Sequence, residues 1–357
     1  MTKTNLARTL REPAELVAAD LAPATALPAL ERVAARYAVA ITPALVELID
    51  TSDPDDPIAR QFAPDARELE QKQEERADPI ADDPFSPVEG VVHRYPDRVL
   101  LKIVNACAVY CRFCFRREMV GPGRGGLTAA ALAAALNYVE SHPQIWEVIL
   151  SGGDPLILSV RRINDVVRRL AAIPHVHVIR VHTRIPVVAP ERINAPLVRA
   201  LRTDKATFVV LHANHPRELT QQARAACARL IDAGIPMLSQ SVLLRGVNDD
   251  VETLGTLMRT FVACRIKPYY LHHADLAPGT AHLRTTIAEG QELMRGLRGR
   301  FSGLCQPTYV LDIPDGYGKS PIGPNYVSAS DAGKSDAGAT TLIEDYTGRR
   351  HAYPPKS

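Results

Sequence analysis

The feature that most constrains the fold is an alternation of short apolar runs, rich in β-branched residues, with longer runs of helical periodicity. It begins near residue 99 and continues through most of the chain. Strands that alternate with helices predict a parallel, barrel-like sheet whose ligands bind at the carboxyl ends of its strands. The expected strands are 99–104, 146–150, 175–181, 207–211, 237–244, 267–271 and 308–313, and the expected helices are 128–141, 160–172, 195–202, 218–233 and 251–265.

Three cysteines follow the first predicted strand within eight residues, and we call Cys107, Cys111 and Cys114 the cysteine triplet. Thiolates are soft ligands that suit zinc ions and iron–sulfur clusters. Three of them are one short of a closed four-ligand site, which leaves a coordination position open for chemistry. The simpler alternative is a buried cysteine trio or half of a zinc site. The other cysteines are scattered in apolar contexts typical of core residues.

The overall charge excludes some classes of partner. The 42 Lys and Arg residues nearly balance the 40 Asp and Glu residues, so there is no general case for nucleic acid or an acidic membrane surface. We find no apolar leader after Met1 and no stretch that would span a bilayer. We therefore expect a cytoplasmic protein, in which reduced thiols in a cluster indicate metal binding rather than a disulfide.

The 357 residues suggest three segments. Residues 1–90 are expected to form a helical N-terminal layer with no chemistry of its own. Residues 91–305 are expected to form the barrel core. Residues 306–357 are expected to form a C-terminal segment that ends in a tail with a loop of small residues at 328–341.

Polar residues and glycines follow several predicted strands. Ser151-Gly152-Gly153-Asp154 comes directly after the second strand, and paired glycines let the backbone approach a ligand and expose amide donors. His212 ends the fourth strand and Gln240 lies on the fifth. A lone histidine at a strand end is more often a satisfied polar residue than a ligand.

Two carboxylates, which we call the acidic pair, occur at later strand ends. Asp275 follows the sixth strand and Asp312 lies on the last. Acids at two strand ends can converge on one cationic group, and charge pairing in a partly dry pocket is strong. The alternative is two unrelated acids in solvent.

Cationic residues occur directly after the cysteine triplet and again after the last predicted strand. Arg116 and Arg117 follow the cysteine triplet, and an arginine fork binds a carboxylate through two parallel hydrogen bonds. A solvated basic loop that includes Arg112 and Arg124 is the competing interpretation. Lys319 ends a glycine-flanked turn; a phosphate-binding Walker loop would need a glycine where Ile313 stands, whereas a lysine amine suits a Schiff base.

Together these pieces resemble the lysine 2,3-aminomutases of the radical S-adenosylmethionine superfamily over roughly residues 85–327. The resemblance implies a partial (β/α)6 TIM-like barrel of the radical S-adenosylmethionine type, an α/β fold with a helical N-terminal region and a C-terminal extension. The matching segments are His93-Arg94-Tyr95-Pro96-Asp97-Arg98, the cysteine triplet with Phe115-Arg116-Arg117, Ser151-Gly152-Gly153-Asp154, Thr183-Arg184-Ile185-Pro186, His212-Ala213-Asn214-His215, Gly246-Val247-Asn248-Asp249, Lys267-Pro268-Tyr269-Tyr270, Gly316-Tyr317-Gly318-Lys319 and Pro324-Asn325-Tyr326.

The resemblance also implies three cofactors, a [4Fe-4S] cluster, S-adenosylmethionine and pyridoxal 5′-phosphate, and conversion of L-lysine to β-lysine. The cysteine triplet would hold the cluster, and Lys319 would be the catalytic lysine that binds pyridoxal phosphate. The acidic pair would bind the distal ammonium of lysine, and Arg116 its carboxylate. The remaining cofactor contacts would be Arg94 and Arg98 near the phosphate, and Ser151, Gly152, Gly153, Asp154, His212 and Gln240 at S-adenosylmethionine.

Two departures from the family pattern matter. The chain lacks the extra cysteines of relatives with a structural zinc, so we expect a possible homo-oligomer without that metal. Tyr317 stands in the turn before Lys319 and is expected to narrow the pocket.

Alternatives remain at this point. The same chemistry could act on a lysine side chain of a translation elongation factor, or on glutamate or arginine. The chain could also be a non-catalytic iron–sulfur or zinc protein that binds a partner. The aminomutase interpretation requires an electron donor such as flavodoxin or ferredoxin.

Overall fold

A nine-stranded sheet forms the centre of the molecule, in a computed structural model that describes residues 8–329 and 341–355. Its strands lie in sequence order, those from β2 to β8 are parallel to their neighbours, and β1 and β9 pair antiparallel at the two edges. The strands are β1 (Val91–Tyr95), β2 (Arg98–Val104), β3 (Glu147–Gly152), β4 (Val178–Thr183), β5 (Ala206–His212), β6 (Met237–Val242), β7 (Ile266–His272), β8 (Thr308–Ile313) and β9 (Gly318–Pro321).

Helices connect the parallel strands and bury one face each. In α6, for example, Ile163, Val166, Val167 and Leu170 are buried, which is the spacing of a single helical stripe. The helices are α1 (Pro13–Ala18), α2 (Leu27–Arg36), α3 (Pro43–Leu48), α4 (Ala59–Phe62), α5 (Ala129–Glu140), α6 (Val160–Ala171), α7 (Ile185–Val188), α8 (Ala195–Leu201), α9 (Gln221–Asp232), α10 (Val251–Ala263) and α11 (Ile287–Leu297).

Most of these helices begin where the sequence offers a capping side chain. A side-chain oxygen at the N-cap accepts a hydrogen bond from an early backbone amide, which would otherwise lack a partner. The capping residues are Thr128 for α5, Ser159 for α6, Asn194 for α8, Thr220 for α9, Asp250 for α10 and Thr286 for α11.

The N-terminal helices pack on the barrel rather than apart from it. Leu16, Leu45 and Phe62 are fully buried and belong to the same apolar cluster as the strands β2 to β7. No helix in the described part of the chain is long and apolar enough to cross a membrane.

The seven strands predicted from the sequence are confirmed, with shifts at their ends. The strand expected at 175–181 begins at Val178, and the helix expected at 218–233 begins at Gln221 because Pro216–Glu218 forms a 3-10 turn before it. The sequence did not predict β1 and β9, which are short and carry charged side chains.

A second, three-stranded sheet was also not predicted. It consists of β10 (Val327–Ala329), β11 (Thr341–Glu344) and β12 (Arg350–Tyr353), paired antiparallel. Most of the loop expected at 328–341 lies outside the described residues.

Candidate active site

A cavity of about 780 Å³ lies inside the barrel and reaches the carboxyl ends of its parallel strands. It collects side chains from the loop after β2, from the ends of β3 to β8, and from β9. Every site residue predicted from the sequence lines it, namely Arg94, Arg98, Cys107, Cys111, Cys114, Arg116, Ser151, Gly152, Gly153, Asp154, His212, Gln240, Asp275, Asp312 and Lys319.

The loop that carries the cysteine triplet is fixed against the glycine turn after β3. The amide of Gly153 donates to the carbonyl of Val104 at 2.6 Å, and the amide of Asp154 donates to that of Ala106 at 3.0 Å. A Cβ atom on Gly153 would lie 2.1 Å from the Ala106 carbonyl oxygen, so this close approach requires glycine. The glycine turn therefore sets the position of Cys107, the next residue of the loop.

The cysteine triplet is partly buried, and its thiols lie close to one another. Burial, and next the neighbouring Cys111 thiol, raises the pKa of Cys114 to about 11. Burial also raises the pKa of Cys107, with a further contribution from Cys114. None of the six cysteines forms a disulfide. Three partly buried thiols with raised pKa values are a donor set that becomes stable as thiolates when a positive group binds them.

Three arginines that follow or interrupt the triplet are buried, so the solvated-loop interpretation is wrong for them. Arg112, Arg116 and Arg117 are 1%, 8% and 7% exposed, whereas Arg124 is exposed. Arg112 Nε lies 2.9 Å from Glu68 Oε1, and Arg117 Nη2 also pairs with this carboxylate. Glu68 is thus shared by two of the three arginines, and its single negative charge offsets one of their two positive charges.

The third buried arginine, Arg116, is held by Asp82. Its Nε and Nη2 donate to Asp82 Oδ2 at 3.2 and 2.8 Å, and Arg94 Nη2 donates to Asp82 Oδ1 at 3.2 Å. Burial acts to raise the pKa of Asp82, but the charge and hydrogen bonds of Arg116, together with the charges of Lys102 and Arg94, outweigh it and lower the pKa below the ordinary value. One ionised carboxylate therefore positions two cavity arginines.

Lys319 enters the cavity from β9. The turn before it carries positive φ angles, including +89° at Gly318, which glycine adopts without strain. The backbone amide of Lys319 donates to Tyr95 Oη at 2.7 Å, and its Nζ pairs with Asp312. His272 Nδ1 lies 3.6 Å from Asp312 Oδ2.

The two members of the acidic pair have opposite protonation tendencies. Burial, and then the charge of Asp312, raises the pKa of Asp275 to about 7. Burial opposes ionisation of Asp312 too, but the neighbouring His272 and the charge of Lys319 lower its pKa well below the ordinary value. The pair therefore presents one firmly ionised carboxylate and one that ionises near neutral pH.

Comparison with known proteins agrees with this geometry. Residues 101–257 match the radical SAM superfamily, and residues 294–353 match the family described as lysine-2,3-aminomutase. The chain is 44% identical over 296 residues to the L-lysine 2,3-aminomutase of Acetoanaerobium sticklandii, which covers 83% of this chain and 72% of the relative. The chain belongs to the lysine 2,3-aminomutase family.

Two further relatives bear on the substrate. The aminomutase is 44% identical over 289 residues to the L-lysine 2,3-aminomutase of Clostridium subterminale, across 81% of this chain and 70% of that one. It is also 35% identical over 298 residues to the glutamate 2,3-aminomutase of Clostridioides difficile, across 84% and 70%. Family membership makes the protein an isomerase whose cofactors are a [4Fe-4S] cluster, S-adenosylmethionine and pyridoxal phosphate.

The cysteine triplet fits the cluster. Within the described residues, no three His, Cys, Asp or Glu side chains converge on a point where one metal ion would be held. A cluster does not require such convergence, because each thiolate binds a different iron. The three thiols line one cavity, and no fourth cysteine of the described chain does, which matches a cluster with one iron left open.

The residues at the other predicted cofactor contacts are held in place by neighbours. Arg98 Nη1 donates to Asp97 at 2.7 Å, and its guanidinium lies 3.9 Å from the centroid of the Tyr95 ring. His212 Nε2 contacts Asn214 Oδ1 at 3.2 Å, and burial lowers the pKa of His212 well below its ordinary value. Gln240 is in register with His212 on the adjacent strand, so both face the same region.

Two expectations from the sequence were wrong. Tyr317 does not narrow the pocket; its side chain is 79% exposed and does not line the cavity. The N-terminal layer is not remote from the chemistry, because it supplies Glu68 and Asp82 to arginines beside the cysteine triplet. No short motif marked these two acids, since the arginines beside the triplet with which they pair lie 34 or more positions away in the sequence.

Proposed function

We propose that this aminomutase acts on L-lysine and moves its amino group from C2 to C3, which yields β-lysine. The observation that carries the proposal is the acidic pair, Asp275 and Asp312, in one cavity with Arg116 and Lys319. Lysine offers a distal ammonium to two carboxylates and an α-carboxylate to an arginine. Glutamate would bring a second carboxylate against the acidic pair, and like charges in a buried site are strongly disfavoured.

Each end of lysine has a proposed binding residue. Arg116 binds the α-carboxylate through its planar fork, with Asp82 holding the guanidinium in place. Asp312 and Asp275 accept hydrogen bonds from the distal ammonium. Because the cavity lies inside the barrel, the substrate is bound with little surrounding water, and these charged contacts are strengthened accordingly.

Binding residues are proposed for the three cofactors as well. When bound, the cluster, S-adenosylmethionine and pyridoxal phosphate supply the radical formation and the migration of nitrogen between adjacent carbons. The cysteine triplet binds the cluster. The residues proposed at S-adenosylmethionine are Ser151, Gly152, Gly153, Asp154, His212 and Gln240, and those proposed at the phosphate of the pyridoxal cofactor are Arg94 and Arg98.

Lys319 is the proposed attachment point for pyridoxal phosphate, and its amine must lose a proton before it can attack a carbonyl carbon. Its Nζ hydrogen bonds to Asp312 Oδ2, so this carboxylate holds the lysine proton in place. His272 Nδ1 lies 3.6 Å from the same oxygen, and burial lowers the pKa of His272, so its ring stays neutral beside the lysine–carboxylate pair.

The wider setting is also proposed. A low-potential donor such as flavodoxin or ferredoxin would supply the electron, and the reduced thiols of the triplet favour a cytoplasmic location. We propose a homo-oligomer without structural zinc. We also propose a domain organisation with three parts. Residues 1–90 form a helical region, residues 91–305 form the radical SAM core, and residues 306–357 form the segment that carries the pyridoxal lysine.

Labelled substrate tests the proposal directly. Protein reconstituted anaerobically with all three cofactors is given L-lysine labelled with ¹⁵N at the α-amino group, and the position of the label is followed by NMR. We expect the label on C3. No migration while S-adenosylmethionine is being cleaved would overturn the proposal. So would faster turnover of L-glutamate, L-arginine or an unmodified elongation factor offered in parallel.

A further inference from the structure

Arg184 lies just after β4 with its guanidinium against one sulfur of the cysteine triplet. Its Nη1 donates to Cys111 Sγ at 3.3 Å. The side chain is only 6% exposed, and the rings of Phe62 and Phe113 lie 4.6 and 5.3 Å from the guanidinium carbon. A full positive charge is therefore fixed beside Cys111 in apolar surroundings.

A buried ion pair holds this guanidinium in place. Arg184 Nη2 donates to Glu218 Oε2 and to Gln61 Oε1, both at 2.6 Å. Glu218 is itself fully buried, and its other oxygen accepts the backbone amides of Asn214 and His215 at 2.8 and 2.9 Å. Since the carboxylate is anchored by backbone amides, the arginine cannot swing away from the sulfur without losing several hydrogen bonds.

The orientation of the pair decides its electrical effect on the triplet. Arg184 contacts the sulfur through Nη1 and Glu218 through Nη2, so the member of the pair in contact with Cys111 is the positive one. Charges in such surroundings interact more strongly than in water. Hydrogen bonds to the sulfurs and nearby charge are the factors that set the reduction potential of an iron–sulfur cluster.

We propose that Arg184 is a positioning residue that raises the reduction potential of the cluster held by the cysteine triplet, through its hydrogen bond to Cys111 Sγ. One electron passes to the cluster from a low-potential donor, which is oxidised by one electron, and no proton moves. The cluster becomes more negative by one charge, and the adjacent guanidinium stabilises that form. This inference rests on the proposed role of the triplet.

A paired substitution tests it. Arg184→Met alone would leave Glu218 as a buried carboxylate without a cation, so Arg184→Met is combined with Glu218→Gln. The cluster is titrated with dithionite in the absence of S-adenosylmethionine and followed by EPR, with iron and sulfide measured for each sample. We expect about a tenfold fall in the equilibrium constant for one-electron reduction, a shift of about 59 mV to more negative potential.

A matched control lies on β4, four residues before Arg184. Arg180, 8% exposed, pairs with Glu147 at 2.8 Å and has no contact with the triplet. The combination Arg180→Met with Glu147→Gln removes a comparable, mostly buried pair and is expected to keep the wild-type midpoint. An unchanged midpoint in the Arg184 pair at full iron content, or an equal shift in the control, would refute the inference.

A single conservative variant covers the case in which the paired substitution binds no iron. Arg184→Lys keeps the charge but cannot reach Cys111 and Glu218 together, so we expect a smaller shift in the same direction. A midpoint potential equal to that of the wild type, or one shifted to a more positive value, would contradict the inference. If the wild-type protein assembles no cluster, the proposed function itself is refuted. That result is distinguishable from a failure of the Arg184 inference, in which the cluster assembles but its midpoint does not shift.

Discussion

Lys319 and Asp312 are directly paired across the last two strands of the barrel, and Lys319 Nζ donates a hydrogen bond to Asp312 Oδ2. The strand pairing fixes the lysine backbone, and the hydrogen bond fixes the end of its side chain. The amine is therefore presented to the cavity by a strand rather than by a flexible loop. Because each side chain is the hydrogen-bond partner of the other, replacing either one leaves the other without its counter-charge.

Replacing this lysine should abolish binding of pyridoxal phosphate. In Lys319→Ala we expect no visible pyridoxal absorbance, no cofactor fixed by borohydride and no detectable aminomutase activity. The change also leaves Asp312 without its cation, which should lower the free energy of unfolding by about 1–3 kcal/mol. Lys72→Ala, at an exposed position, is the control. Borohydride-fixed cofactor at wild-type levels in the Lys319 variant would show that the attachment point lies elsewhere.

The sequence predicted the parallel strands and several cavity-facing residues because these depend on local patterns, whereas Arg94 and Arg98 were assigned through the family resemblance alone. The cysteine triplet, the glycine turn at Gly153 and the turn before Lys319 each lie within a few residues and follow predicted strands. The alternation of strands and helices predicts a parallel sheet, and in such a sheet the carboxyl ends of the strands lie on the same side.

The partners of the buried arginines were missed for the opposite reason. Asp82 and Glu68 precede the barrel in the sequence and meet Arg116 and Arg112 only through tertiary packing. Their own surroundings, rich in acids and prolines, indicate an exposed segment. The strands β1 and β9 were missed because each is short, and Arg94 and Lys319 interrupt the apolar pattern that would mark them.

Affinity for L-lysine should depend on pH through Asp275. Its pKa of about 7 means that below neutral pH a proton must leave before the carboxylate can accept the substrate ammonium. The dissociation constant should therefore fall about tenfold per unit as pH rises toward 7, and level off above it. Calorimetric titration of lysine into enzyme loaded with pyridoxal phosphate, without S-adenosylmethionine, measures this directly.

Asp275→Asn supplies the comparison for that measurement. With no carboxyl group to ionise, the variant should bind lysine more weakly than the wild type. Its affinity should change little between about pH 5.5 and 7, the range just below the raised pKa of Asp275 in the wild type. An equally steep dependence in the variant would assign the titration to another group. In the free protein, the folded state retains this proton longer than the unfolded chain does. The contribution of Asp275 to the free energy of unfolding should therefore decrease as pH rises from about 4 to about 7.

Asp82 should matter for both stability and substrate affinity. It is 2% exposed and bridges Arg94 and Arg116, so Asp82→Asn leaves two largely buried cations without their counter-charge. We expect the free energy of unfolding to fall by about 3 kcal/mol in urea denaturation. We also expect KM for lysine to rise about tenfold, with a smaller change in kcat, because Arg116 is less firmly oriented. The neighbouring Asp83→Asn, at an exposed position, should change neither quantity; equal effects in both variants would show a general loss of acidic charge instead.

Gly153 should be required for assembly of the cluster, because the backbone at the start of the cysteine loop passes directly over its Cα atom. In Gly153→Ala the new Cβ would lie 2.1 Å from the oxygen and 2.7 Å from the carbonyl carbon of Ala106, so the loop must move and take Cys107 with it. We expect the free energy of unfolding to fall by about 1–3 kcal/mol and the iron bound per chain after anaerobic reconstitution to fall well below that of the wild type. Gly125→Ala is the matched control, since a Cβ there meets no atom within 4 Å and should leave iron content unchanged. Full iron content in the Gly153 variant would mean that the loop tolerates displacement, and that the glycine turn does not set the position of the first cysteine.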